Sequence, residues 1–183
     1  VRADLLDDNR LSLMKKLNFR LLKVGLESGN NETLRRIVKN TTLEQIKNGI
    51  KKAKDYGFRV LITSMVGYPW EGEKETLNTY KVLKELMLYR THFGDSLQSS
   101  IVVPYPGTPL YNDSVKNGWF KVDYKNLENF DMSKDLLKSK IDTAKWCKKN
   151  WRIHLHPLFL IKSLFSLRSV TDFRIAWRGI ISL

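Results

Sequence analysis

The sequence predicts an α/β chain in which parallel strands alternate with crossover helices, as an open parallel sheet or part of a β/α barrel. Two observations carry this. Short apolar runs, rich in β-branched residues, alternate three times with longer stretches whose apolar positions recur at helical spacing. Each run ends in a polar loop containing Gly or Pro, at the carboxyl end of a strand, where both architectures place their chemistry. Gly and Pro are equally the ordinary residues of plain turns, so the loops alone name no function.

The first run, Arg20-Leu-Leu-Lys-Val-Gly-Leu26, reads as a strand feeding the loop Glu27-Ser28-Gly29, with a short helical piece around Thr33 to Lys39. Thr41-Thr-Leu-Glu-Gln45 offers two overlapping capping boxes, Thr41 with Glu44 and Thr42 with Gln45, ahead of Leu43, Ile46, Ile50 and Ala53. A helix is expected there, stopped by Gly57. Phe58 to Val66 is apolar and β-branched enough for a buried strand, and Gly67-Tyr-Pro69 ends it. After Trp70-Glu-Gly-Glu73 a second helix is expected with Leu77, Tyr80, Leu83 and Met87 on one face. A third strand near Leu97 to Val103 stops at Pro104. Thr108-Pro109 reads as an N-cap followed by proline in the first turn of a short helix ending at Asn117-Gly118.

From 119 onward the pattern changes. Residues 119 to 132 are irregular and aromatic, with Trp119, Phe120, Tyr124 and Phe130, and Ser133 is placed to cap a helix with a stripe of Leu137, Ile141, Ala144 and Trp151. Cys147, close to that stripe, reads as a small core residue. The remainder is helical in tone, with Leu155, Phe159, Leu160, Leu164 and Leu167 among Lys162, Arg168, Arg174 and Arg178. The division expected is 1–118 for the α/β part and 119–183 for a basic helical extension.

Composition bounds the function. The chain has 183 residues, 42% apolar and 28% charged, enough for one domain or a piece of a larger one, and neither disordered nor collagen-like. Its 32 Lys and Arg against 19 Asp and Glu leave +13, a field that favours anionic partners, and residues 140–183 hold +7 of it. A single cysteine excludes an internal disulfide and suits a reducing compartment, so cytoplasm is expected. The chain starts at Val1 and shows no signal-peptide pattern, so it is expected to begin inside a longer reading frame. No apolar run reaches the roughly 18 residues of a membrane span. His92, His154 and His156 complete no metal set. The phosphate-loop, dinucleotide and serine-hydrolase motifs are absent.

Four segments in order, Val24-Gly-Leu-Glu-Ser-Gly29, Lys39-Asn-Thr-Thr-Leu-Glu44, Met65-Val-Gly-Tyr-Pro-Trp-Glu71 and Pro104-Tyr-Pro-Gly-Thr-Pro-Leu-Tyr111, resemble the later half of a radical S-adenosylmethionine (SAM) domain. The tail is similar to that of the cobalamin-binding branch. The resemblance implies a partial parallel β/α barrel, the later three strands of six, followed by a helical tail. It also implies that the CxxxCxxC motif for the [4Fe-4S] cluster lies upstream, because an iron–sulfur cluster needs several thiolates and Cys147 stands alone.

By the same resemblance, Glu27 and Ser28 would face the ribose and methionine portion of SAM. Lys39, twelve residues after Glu27, would meet the SAM carboxylate. Thr63 and Met65, alternating on one strand face, would bring a hydroxyl to the ribose and a thioether to the adenine, and backbone around Val103 and Tyr105 would meet the adenine edge. Lys39 reads equally as a solvated helix-end lysine and Met65 as core. The chain has Gly67-Tyr-Pro-Trp-Glu71 where many relatives have Gly-Leu-Pro-Gly-Glu, which alters that loop's surface.

The reading that results is a fragment of a radical SAM enzyme carrying part of the SAM cradle, not active as this chain alone. The cluster, and cobalamin if the branch holds, belong to the full-length protein. A non-catalytic half-barrel binding module and an RNA-modifying or RNA-binding protein are the alternatives. Expected partners are the missing amino-terminal half of the barrel, a small-molecule or lipid-like substrate, and an anionic surface, either RNA or the inner face of a membrane.

Overall fold

The structure, a computed structural model, describes residues 1–126, 131 and 134–167. A 3-10 turn, Ala3–Leu5, leads into α1 (Asp8–Lys16), β1 (Leu21–Glu27), α2 (Asn31–Arg36), α3 (Leu43–Asp55), β2 (Arg59–Val66), α4 (Glu73–Leu88) and β3 (Ser96–Ile101). Beyond the sheet come α5 (Pro109–Lys116), α6 (Thr143–Trp151), a 3-10 turn at Arg152–Leu155 and α7 (Pro157–Phe165). The three strands are parallel in the order β1-β2-β3, with α3 and α4 as the crossovers. The architecture is the expected partial parallel β/α barrel with a helical tail.

The sheet is buried on one face. Leu22, Val24 and Leu26 of β1 and Val60 and Ile62 of β2 pack with Ile46 and Ile50 of α3 and Leu83, Leu86 and Met87 of α4. Each such side chain contributes about 1.5–3 kcal/mol when withdrawn from water. The strand read as buried throughout, β2, is buried only at alternate positions: Leu61, Thr63 and Met65 stay partly exposed on the concave face. Three strands do not wrap far enough to cover that face.

Local signals set the helix starts. Of the two capping boxes, the second forms: Thr42 Oγ1 accepts from the Gln45 N–H at 3.2 Å while Gln45 Oε1 accepts from the Thr42 N–H at 2.8 Å. Thr108 caps α5, with Pro109 at its first position. α4 starts at Glu73, but its buried face is Thr76, Thr79, Leu83, Leu86 and Met87, and Leu77 is exposed. Thr79 turns inward because its hydroxyl accepts the Gly29 N–H at 2.8 Å. Gly29 has to be glycine here, since a Cβ on it would lie 2.6 Å from the Thr79 Cα.

The tail departs further from its sequence pattern. Asp142 caps α6, and Leu137 lies outside it, in an antiparallel bridge with Phe120. The buried face of α6 is Thr143, Trp146 and Asn150, while Ala144 and Trp151 are exposed. Polar anchors decide this rotation: Trp146 Nε1 donates to Glu73 Oε2 at 3.0 Å and Asn150 Nδ2 to Ser99 Oγ at 3.0 Å. Cys147 packs partly buried beside Val66, Ile141 and Trp146, and burial pushes its thiol up. His154 ties the tail to the sheet, its Nε2 accepting from the Leu97 N–H at 3.1 Å. Phe130, Ser133, Arg168, Arg174 and Arg178 lie outside the described residues.

At the amino ends of the strands sits a pair with no apolar signature. Lys54 and Asp95 meet at 2.9 Å with both side chains fully buried. Lys54 Nζ also donates to the Leu86 and Tyr89 carbonyls at 2.8 and 2.9 Å, while Asp95 accepts from the Val60 and His92 N–H groups, both at 2.8 Å. Burial pulls the Lys54 ammonium below its ordinary pKa and Asp95 pushes it back. Losing one partner strands the other charge in the core. Lys54→Ala or Asp95→Ala is therefore expected to cost about 3–5 kcal/mol in urea unfolding, whereas Arg35→Ala, in a surface pair with Glu32, leaves the midpoint unchanged.

Candidate functional site

The carboxyl ends of the strands hold the candidate site. Register places Gly25, Thr63 and Gln98 side by side, and Met65 beside Ser100, on the concave face. Thr63 and Met65 thus share that face. The register of β1 against β2 shifts between Gly25 and Glu27, and Glu27 adopts φ +64, a left-handed conformation that costs a non-glycine residue about 1 kcal/mol.

This bulge aims the Glu27 side chain back over the sheet. A Cβ at Gly25 would collide with Glu27 Oε1 and lie 2.9 Å from Lys39 Nζ, so Gly25 leaves room for the pair above it. Lys39 Nζ donates to Glu27 Oε1 at 2.9 Å, with 26% and 19% of the two side chains exposed. Val38 and Asn40, on either side of Lys39, both have positive φ (55 and 52), so the backbone kinks twice to present this lysine. A cavity of about 270 Å³ opens beside it, with Arg2, Asp4, Gly25, Lys39 and Thr41 in its wall. Arg2 holds the Asp4 carboxyl below its usual range by a hydrogen bond at 2.9 Å.

Ser28 has another task. It is fully buried, and its hydroxyl donates to Glu71 Oε1 at 2.7 Å. The same oxygen accepts from Thr33 Oγ1 at 2.6 Å and Asn30 Nδ2 at 3.3 Å, and Trp70 Nε1 donates to Thr33 Oγ1 at 3.0 Å. One buried carboxylate oxygen therefore clasps the loop after β1, helix α2 and the loop after β2. Ser28, expected to face a ligand, holds this clasp. Glu71 and Thr33 were not singled out from the sequence as a pair; the only signal was the Glu at the end of the Gly67 to Glu71 segment.

A second cavity, of about 240 Å³, lies at the ends of β2 and β3 and is lined by Met65, Tyr68, Val102, Val103, Leu110 and Ile37. Its polar side chains are Thr108 and the Tyr68 phenol, whose ionisation burial pushes well up, with Glu27 and Glu71 adding to the effect. Tyr68 stacks on Trp70 at 5.2 Å, Trp70 leans on Trp119 at 5.8 Å, and the Arg36 guanidinium sits 5.0 Å over the Trp70 ring. Trp70 thus rigidifies the altered loop. Ile37 lines both cavities, the charged one beside β1 and the more apolar one at the ends of β2 and β3. Tyr105 is 55% exposed, outside both.

Residues 1–83 match the model of the radical SAM superfamily. A Pyrococcus horikoshii protein named as an uncharacterized methyltransferase is 27% identical over 169 residues, 90% of this chain and 35% of that protein. A Methanocaldococcus jannaschii protein carrying a methylthiotransferase name is 32% identical over 110 residues, 60% of this chain and 23% of its own length. The chain thus spans about a third or less of these relatives. The solved structure of an amino-terminally truncated Elp3 from Methanocaldococcus infernus superposes with TM-score 0.53 at 22% identity, over 64% of this chain and 27% of that one. Together these matches support the radical SAM family, and the last shares the fold.

Removing the Glu71 carboxylate orphans two buried hydroxyl donors. Glu71→Ala is expected to destabilise by about 3 kcal/mol, at roughly 1–3 per orphaned group, while Glu71→Gln, which keeps a carbonyl acceptor, loses less than half of that; urea titration of both variants checks the difference.

Proposed function

We propose that this chain is the later half of a radical SAM barrel and contributes one wall of the SAM site, the cluster being held by a segment that precedes it in a longer protein. The observation that carries the reading is a pair of neighbouring cavities sharing Ile37, one with charged residues beside β1 and one largely apolar at the ends of β2 and β3, which suit a ligand with a zwitterionic amino-acid end and a flat adenine end. Lys39 would meet the carboxylate, with Glu27 holding the lysine in place or taking the α-ammonium. Thr63, beside Gly25 in register though in the lining of neither cavity, would reach toward the ribose, and Met65 and Val103 would pack the adenine. Backbone at Val103 to Tyr105 would serve the adenine edge, where the Tyr105 side chain is dispensable.

The residues present do not fit the cluster. Cys147 is the sole cysteine of the chain, it sits on α6 among apolar side chains, and burial raises its thiol away from the thiolate that iron requires. Bound SAM would supply group-transfer or radical chemistry once reduced elsewhere; the residues described here bind and orient it. The methyltransferase and methylthiotransferase names of the relatives favour transfer of a one-carbon or methylthio group, and a cobalamin domain upstream belongs to the same reading.

Titration of SAM into the full-length protein tests this. Lys39→Ala is expected to weaken binding at least tenfold, the scale of a lost charge-assisted hydrogen bond, and Met65→Ala weakens it less; Tyr105→Ala leaves it unchanged. Unaltered affinity in both Lys39→Ala and Met65→Ala, or a stoichiometric cluster reconstituted on this chain alone, refutes the proposal.

A further inference from the structure

The helical tail presents its apolar side outward. On α7, Phe159 is buried, while Leu158, Leu160, Ile161, Leu164 and Phe165 are 46–89% exposed. Leu158, Ile161 and Phe165 recur at helical spacing, so they form one continuous face. This face is held firmly. Lys162 Nζ donates to the Leu88 carbonyl at 2.8 Å, and Ser166 Oγ accepts the Phe93 N–H. α7 is thus pinned to the end of α4 and the loop before β3.

The segment that carries this face is basic. Between Thr143 and Leu167 there are five Lys or Arg and no Asp or Glu, and Lys145, Lys148, Arg152 and Lys162 are exposed. Beside Phe165 opens the largest cavity described, about 670 Å³, with Lys15, Arg90 and Lys162 in its wall; Asp55, the acid there, is paired with Arg90 at 3.1 Å. Lys15 and Lys162 each spend donors on carbonyls, yet an ammonium has three. Lys15 ends α1 and Arg90 precedes β3, so the cavity lies at the amino ends of the strands, away from the SAM cleft.

We propose that α7 and this cavity form a docking surface for an anionic lipid bilayer, with Ile161 and Phe165 entering the acyl boundary and Lys15 and Lys162 facing the headgroup phosphates. Nucleic acid would use the cations but gives Leu and Ile nothing to enter, and a protein partner for so uniformly basic a surface would need an acidic rim around an apolar centre. Among the described residues no helix is long and apolar enough to cross a membrane, so attachment is at the surface. Because the docking face lies at the amino ends of the strands, the cleft at the carboxyl ends stays open when the protein is bound. This inference is independent of what that cleft holds.

Co-sedimentation of the full chain with vesicles tests it. Binding is expected at low salt to phosphatidylcholine vesicles containing phosphatidylglycerol and not to phosphatidylcholine alone. Ile161→Glu with Phe165→Glu, both at exposed positions, is expected to reduce partitioning at least tenfold with an unchanged urea midpoint. Lys15→Ala with Lys162→Ala reduces it about fivefold per charge, the free energy of a basic side chain at an anionic surface expressed as a ratio. The proposal is overturned by any of four results: no binding to anionic vesicles, equal binding to neutral ones, full binding by the Ile161/Phe165 variant, or self-association in the absence of lipid that this variant abolishes. RNA binding without vesicle binding overturns it as well.

Discussion

Parallel strands cannot be joined by tight turns, and that constraint shapes everything else in this chain. Each step from one strand to the next needs a crossover, here α3 and α4, and both crossovers cover the same face of the sheet. That face carries nearly all of the aliphatic core. The opposite, concave face is left with Lys23, Gly25, Leu61, Thr63, Met65 and Gln98, side chains too mixed to form a core of their own. That surface is neither core nor ordinary exterior, and the loops at the carboxyl ends of the strands bound it, the place where open parallel sheets in general take up ligands.

Two buried polar clusters lock the ends of this sheet, and they do so differently. At the amino ends, Lys54 and Asp95 satisfy each other and five backbone groups, closing the turns before β2 and β3. At the carboxyl ends, Glu71 gathers hydroxyl and amide donors from the neighbouring loop and has no cation in its clasp. The first is an ion pair that stabilises a frame. The second holds two loops in register while leaving the cation of the region, Lys39, with Glu27 at the cleft. Ser28 belongs to the clasp and Lys39 to the pair over the concave face.

Strain collects on the same side. Three of the five non-glycine residues with positive φ, Glu27, Val38 and Asn40, belong to or flank the Glu27–Lys39 pair, and the other two, Asn18 and Arg90, lie before β1 and β3. Such residues persist only where surrounding contacts over-determine them, and clusters of them mark ligand sites more often than frames. The bulge in β1, the glycine at position 25 and the double kink around Lys39 together produce one result, an ion pair raised over the concave face.

The alternation of apolar runs and amphipathic stretches was sufficient to predict the three strands, the two crossovers and the caps at Thr42 and Thr108, because strand and helix periodicity, capping and proline geometry act over a few residues. The sites of the loops were legible for the same reason, and Thr63 and Met65 fall on one face because strand side chains alternate by necessity. What tertiary structure alone decided is each choice made by a partner far away in the chain. Glu71 reaches Ser28 across 43 positions and draws its hydroxyl into the clasp; Gly29 across 50 positions turns Thr79 inward and leaves Leu77 in solvent. Asn150 and Trp146 rotate α6 away from the stripe its apolar residues describe, because a buried hydrogen bond outweighs the marginal preference of an Ala for the core. Lys54, in sequence one lysine among many on a solvated-looking helix, is the most buried charge of the described chain only because Asp95 and three carbonyls converge on it. Local physics determined the elements; the pairing of polar groups over long separations, invisible to periodicity, decided which face each element turns.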